Sequence, residues 1–137
     1  FYQEFGSQGY TLGIDGKKVV YATDMEFDFK FPGKQTPESE RIARLQTYVL
    51  NIAYADLLIA DAQYTEKEYP TRQGFGHAYH EQILELAITA QVKRLLLTHH
   101  DPGRTDKELT VIEKKLDQVA QGKLEVLLAR EGNEIEV

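Results

Sequence analysis

Two short apolar runs, Asp56 to Ala60 and Val92 to Leu97, constrain the fold of this chain more than any other feature. Each is too short for a buried helix, and Leu57 to Ala60 and Leu95 to Leu97 within them are apolar at successive positions, the pattern of a strand covered inside a sheet. Between them, His77 to Ala90 reads as a helix, with Ile83, Leu84, Ala87 and Ile88 on one face. A second amphipathic helix is expected over Asp106 to Gln121, where Leu109, Ile112, Leu116 and Val119 recur at helical spacing. Strands alternating with helices define an α/β chain.

The flanks extend the pattern. Tyr10 to Ile14 and Lys18 to Ala22 are β-prone, and Asp15-Gly16 between them is a hairpin signal because both positions tolerate positive φ. The stretch from Asp24 to Pro37 turns irregular: Phe27, Phe29 and Phe31 alternate with Asp28 and Lys30 before Pro32-Gly33 breaks it, as in a lid or a short edge strand. Thr36-Pro37-Glu38 predicts a helix start, with Thr36 as cap and Pro37 in the first turn, and the helix running to about Ile52. Final strands are expected at Leu124 to Leu128 and Glu134 to Val137.

Composition narrows the chemistry. With no cysteine in 137 residues, disulfides and thiolate metal sites are excluded, and any metal must use His and carboxylate. A net charge of −6 argues against a basic groove for a long nucleic acid, although a bound dication would reverse the local charge. No apolar run is long enough to span a bilayer, and the first residues carry no basic segment, so neither a membrane nor a leader is expected. These features point to the cytoplasm. The chain begins with Phe, which reads as a processed or cut polypeptide.

All four histidines lie between positions 77 and 100, as Gly76-His77-Ala78-Tyr79-His80 and Thr98-His99-His100-Asp101-Pro102. Asp24, Asp61 and His99 fall at strand ends, where rigid backbone aims side chains into a shared cleft. His99 and His100 are adjacent and diverge in an extended segment, so only one of them is expected at a given ion. On spacing alone the histidine groups fit a polar loop as well as a metal site, and no zincin helix or phosphate loop is present.

Taken in order, Tyr21-Ala22-Thr23-Asp24, Asp56 through Tyr64, Gly76-His77 and Leu97 through Pro102 resemble the C-terminal half of metallo-β-lactamase-fold hydrolases. The likeness is to members near ribonuclease Z and related metal-dependent phosphodiesterases, and it runs from about Gly6 to the end. It implies the C-terminal part of a single αββα sandwich domain spanning residues 1–137, with the N-terminal part supplied elsewhere.

The resemblance further implies that Asp24 bridges two metal ions and that His99 is a ligand of the second. His77 would act beside the scissile phosphate, oriented by Asp61. His80 and His100 are set aside as ligands, His80 lying one turn beyond His77 at the cleft wall. Two departures bear on activity. The family's Ser-Thr after the catalytic histidine is Ala78-Tyr79 here, and its His-x-His-x-Asp-His run is missing, with Gln3 near the place of a further histidine.

The implied function is therefore a metal-dependent hydrolase, a phosphodiesterase with two divalent ions (Zn or Mn/Fe) in the intact protein. Its substrate would be a small-molecule or nucleotide phosphodiester, and its partner either another copy or the missing N-terminal half. The isolated chain would be inactive. The alternative is a degenerate binding or assembly domain of the same fold.

Overall fold

Asp15 and Gly16 both take positive φ, 50° and 77°, and close the expected two-residue turn. The structure, a computed structural model, describes residues 8–28 and 37–137. The turn joins β1 (Tyr10–Ile14) to β2 (Lys17–Ala22) as an antiparallel pair. There follow α1 (Glu38–Ile52), β3 (Leu57–Asp61), α2 (His80–Thr89), β4 (Arg94–Thr98), α3 (Asp106–Ala120) and β5 (Glu125–Leu128). The five strands lie in the order β1-β2-β3-β4-β5, with β2 through β5 parallel.

This topology places the site. Parallel neighbours joined by right-handed crossovers that all step the same way put every connecting helix on one face of the sheet. That face buries Val20, Ala22, Leu58, Ala60, Leu95, Leu97 and Val126 against Ile52, Ile83, Leu84 and Leu116 of the helices. The same parallelism brings the C-terminal ends of β2, β3 and β4 to one edge, the edge from which α/β folds usually present their chemistry.

The opposite face is only partly covered. By register, Tyr10, Leu12, Ile14 and Tyr21 share it with Ile59, Leu96 and Leu127. The first four are 42% to 54% exposed and the last three half-buried. The apolar runs of β3 and β4 are thus sealed on the helical side and partly open on the other.

Several element boundaries differ from the sequence expectation. Residues 134–137 form no strand. α2 begins at His80, so His77 belongs to the preceding loop. β2 stops at Ala22, which leaves Asp24 two residues beyond it. Pro37 stands at the N-cap of α1, where it offers no side-chain cap; the predicted cap Thr36 lies outside the described residues, as do Gln3 and most of the Phe27–Pro32 loop. Phe27 itself is buried and packs edge-on to Tyr48, with ring centroids 4.8 Å apart. α3 is better defined: Thr105 and Glu108 form a reciprocal capping box, and Gln121 closes the helix in a left-handed conformation.

His80 is not at the cleft wall. It is 1% exposed beneath the first turn of α2, and neither ring nitrogen has a hydrogen-bond partner. Burial therefore lowers its pKa to about 4. Because the folded value lies below the unfolded one, the unfolded chain binds the extra proton between about pH 4 and 6.5, and stability falls as pH drops through that window. Urea unfolding should show a loss on the order of 2–3 kcal/mol across the window, removed in His80→Leu. The same pH slope in the variant would contradict this assignment.

Candidate metal centre

Three loops leave the C-terminal edge of the sheet and meet there. The first follows β2 and carries Asp24; the second follows β3 and ends at His77; the third follows β4 and opens with His99. Asp24, His77 and His99 each offer a donor atom, all within 4.8 Å of one another. The His77 and His99 rings lie 4.4 Å apart between centroids. His77 Nδ1 is 3.8 Å from Asp24 Oδ1.

Two of these residues hold an uncommon backbone. Asp24 and His99 have φ of 57° and 60°, in the left-handed region that non-glycine residues rarely occupy. Such residues cost roughly 1–3 kcal/mol each and cluster at functional sites. Here the left-handed turn redirects the chain at once after a strand, and it sets the two side chains toward the same point.

Asp61, the last residue of β3, is the buried anchor. Its side chain is 0% exposed; Oδ1 accepts from Met25 N at 3.0 Å, and Oδ2 pairs with His77 Nδ1 at 2.8 Å. Rather than capping a local turn, it ties the Asp24 loop to the His77 loop. Burial raises the Asp61 pKa, opposed by the His77 and Met25 bonds. The hydrogen bond to Asp61 raises the His77 pKa, with Asp24 adding to it. The pair thus holds its proton more tightly than free imidazole does. In neutral His77 the bond keeps the proton on Nδ1 and leaves Nε2 as the exchangeable lone pair.

The donor set suits a borderline divalent cation. A carboxylate and an imidazole without thiolate are the ligand types of catalytic zinc and related sites. Asp24 and His99 are exposed, and the ring nitrogens of His99 make no hydrogen bond among the described residues. His100, in contrast, turns away: its Nε2 lies 3.1 Å from the Ala129 carbonyl.

Glu26 was not singled out by the sequence, where an acid in a polar loop reads as solvated. It is 1% exposed and accepts from Tyr69 Oη at 2.9 Å, Gly74 N at 2.8 Å and Gly76 N at 2.7 Å. Two residues beyond Asp24, it clamps the segment that delivers His77. Gly76, with φ of 88°, supplies the backbone freedom that segment needs. A second clamp joins the same segment to the third loop: Arg104 makes a two-toothed pair with Glu68 at 3.2 and 2.8 Å. That pairing holds the Glu68 carboxyl at about 2.

Comparison with known proteins follows the same line. The chain is similar to ribonuclease Z of Gemmatimonas aurantiaca, 34% identical over 83 residues that make up 61% of this chain and 25% of the relative. It is also similar to ribonuclease Z of Staphylococcus haemolyticus, 29% identical over 100 residues, 71% of this chain and 32% of the relative. The chain therefore spans about a quarter to a third of the length of these relatives. The resemblance carried by the motifs is to the same enzyme, and the mixed α/β sheet is consistent with its metallo-β-lactamase fold. No family model matches, and no solved structure matches. No helix among the described residues is long and apolar enough to cross a membrane.

Replacing Glu26 with Ala should destabilise the chain by on the order of 3 kcal/mol, because three donors lose one buried acceptor. Hydrogen exchange at the Gly74 and Gly76 amides should accelerate well beyond that of α3. Unchanged protection at both glycines would show that Glu26 does not hold this segment.

Proposed function

We propose, for a chain so similar to ribonuclease Z, that it contributes to a metal-dependent hydrolase of phosphodiesters. The observation that carries the reading is the meeting of Asp24, His77 and His99 donor atoms within 4.8 Å, beside the buried Asp61–His77 pair. Asp24 and His99 would hold a divalent ion, the carboxylate offsetting its charge and the imidazole completing a borderline donor set. A dinuclear zinc, manganese or iron centre needs further ligands, of the His-x-His-x-Asp-His kind that this sequence lacks.

When bound, such ions lower the pKa of water and neutralise charge on a phosphoryl group. The remaining chemistry belongs to side chains of the chain itself. His77, fixed by Asp61 through Nδ1, would deliver or accept a proton at Nε2 beside the departing oxygen. Asp61 would act only through His77, as a positioning carboxylate that selects the tautomer and supports the imidazolium. Ala78 after His77 lacks the hydroxyl that the family motif has at that position, and Tyr79 places a phenol where the motif has a threonine hydroxyl.

The proposal separates ligands from proton donor. Asp24→Ala and His99→Ala should each lower zinc content, measured by metal analysis after dialysis, at least several-fold. His77→Ala should leave most of the metal and reduce phosphodiester turnover of the intact protein by about 100-fold or more. Equal loss of metal and turnover in His77→Ala would make His77 a ligand instead. Unaltered metal in all three variants would favour the degenerate, non-catalytic reading of the same fold.

We also propose that the described sheet is one half of an αββα sandwich, its partly open face covered in the assembled protein by a second sheet. The exposed Tyr10, Leu12, Ile14 and Tyr21 on that face support this reading. Sedimentation of the isolated chain should show concentration-dependent association, weakened in Leu12→Lys. A clean monomer at high concentration would count against it.

A further inference from the structure

His80 takes no part in the site described above, yet it is 1% exposed and both of its ring nitrogens lack a partner among the described residues. Two more buried nitrogens share that condition, His100 Nδ1 and Arg104 Nε. The groups whose charge acts on the His80 ring are Glu81, Arg104, His100 and Glu68, so the stranded nitrogens belong to one neighbourhood. His80 opens α2, His100 and Arg104 come from the third loop, and Glu68 comes from the second. The neighbourhood is therefore the seam between α2 and the two loops that carry His77 and His99.

Hydrogen-bond chemistry decides what can occupy it. Arg104 Nε always carries a proton and donates. His100 Nε2 faces the Ala129 carbonyl at 3.1 Å; a carbonyl only accepts, so Nε2 donates and Nδ1 is left as a lone pair. Neutral His80 adds one N–H and one lone pair. The stranded set is thus two donors and two acceptors. A cation would satisfy only the lone pairs and would meet the Arg104 guanidinium. An anion would satisfy only the N–H groups, and Glu68 already neutralises Arg104. Water donates and accepts at once, and leaving a buried polar atom dry costs more than immobilising a water. The two His80 nitrogens diverge from the ring, so a single water cannot serve both. Arg104 also lines a cleft of about 280 Å³ between Thr65 and the first turns of α3, which brings solvent to the outer side of the seam.

We infer that His80, His100 and Arg104 enclose an internal hydration site, a small cluster of ordered waters that cross-links the start of α2 to the loop carrying His99. His80 is then a positioning residue. Through water it holds the His100–Arg104 stretch, whose other side-chain fastenings are the Ala129 carbonyl and Glu68. The inference stands apart from the hydrolase reading, because it uses neither a metal nor a substrate.

A high-resolution crystal structure of the unaltered chain should show ordered water within hydrogen-bond distance of each His80 nitrogen. In solution, water NOE spectra should show cross-peaks at the His80 and His100 ring protons, with the sign of bound rather than surface water. A dry His80 ring would overturn the site, and so would direct bonds from His80 to Arg104 or His100 with no water between them.

Two variants separate hydration from shape. His80→Phe keeps a ring and removes both nitrogens, whereas His80→Gln keeps a donor and an acceptor. Exchange of the Arg104 amide, which bonds the Asp101 carbonyl at 2.8 Å, should quicken about tenfold in His80→Phe. In His80→Gln it should quicken by less than about threefold, measured against amides inside α3. Equal quickening in both variants would show that the ring acts by shape alone, and no quickening in either would show that it holds nothing; both results overturn the positioning role. Should His80→Phe fail to fold, the water contacts of the unaltered chain still decide.

Discussion

The whole site hangs on one buried carboxylate. Asp61 closes β3 with a fully buried side chain, and each of its oxygens is committed, one to the Met25 amide and the other to His77. A carboxylate in that position is costly without partners and strong with them. Removing either bond would free a loop: the Met25 contact fixes the turn that carries Asp24, and the His77 contact fixes the imidazole. The meeting of Asp24 and His77 follows from a rigid strand end that addresses two loops at once, and His99 joins them from the end of the neighbouring β4.

The sheet makes this possible. Strands β2, β3 and β4 are parallel and in register, with Ala22 opposite Ala60 and Asp61 opposite Thr98, so the chain leaves all three at the same edge. Left-handed residues at Asp24 and His99 then turn it sharply, before it can run on as strand. Glu26 and the Arg104–Glu68 pair add a second layer of fastening behind the His77 loop. Exposed donor atoms are in this way carried on backbone that is itself held by buried polar contacts, which is how a surface site keeps its geometry.

Much of this architecture was legible in the residues. Asp15-Gly16 announced the hairpin because few other pairs tolerate two positive φ values, and the apolar runs at β3 and β4 announced interior strands. The ends were less readable. Glu134 to Val137 alternates like a strand but pairs with no strand among the described residues, and His77 lies three residues before α2 although the helical periodicity runs back to it. Convergence of Asp24 and His99 was expected from strand ends joined to a family resemblance, because adjacency across a parallel sheet is encoded in topology. Glu26 was hidden: its partners are two backbone amides and a tyrosine hydroxyl more than forty residues away, and no sequence spacing encodes them. The left-handed turns at Asp24 and His99 were hidden too, since neither residue type demands that conformation.

The central claim is that Asp24 and His99, with His77 beside them, define one cation position at the edge of the sheet. Anomalous diffraction at the zinc edge, on crystals grown with zinc, tests it directly. The account predicts a peak within bonding distance of an Asp24 carboxylate oxygen and a His99 ring nitrogen, at about 2.0–2.2 Å. A fully ordered site with no anomalous density there, or zinc bound only at other carboxylates on the surface, would contradict it.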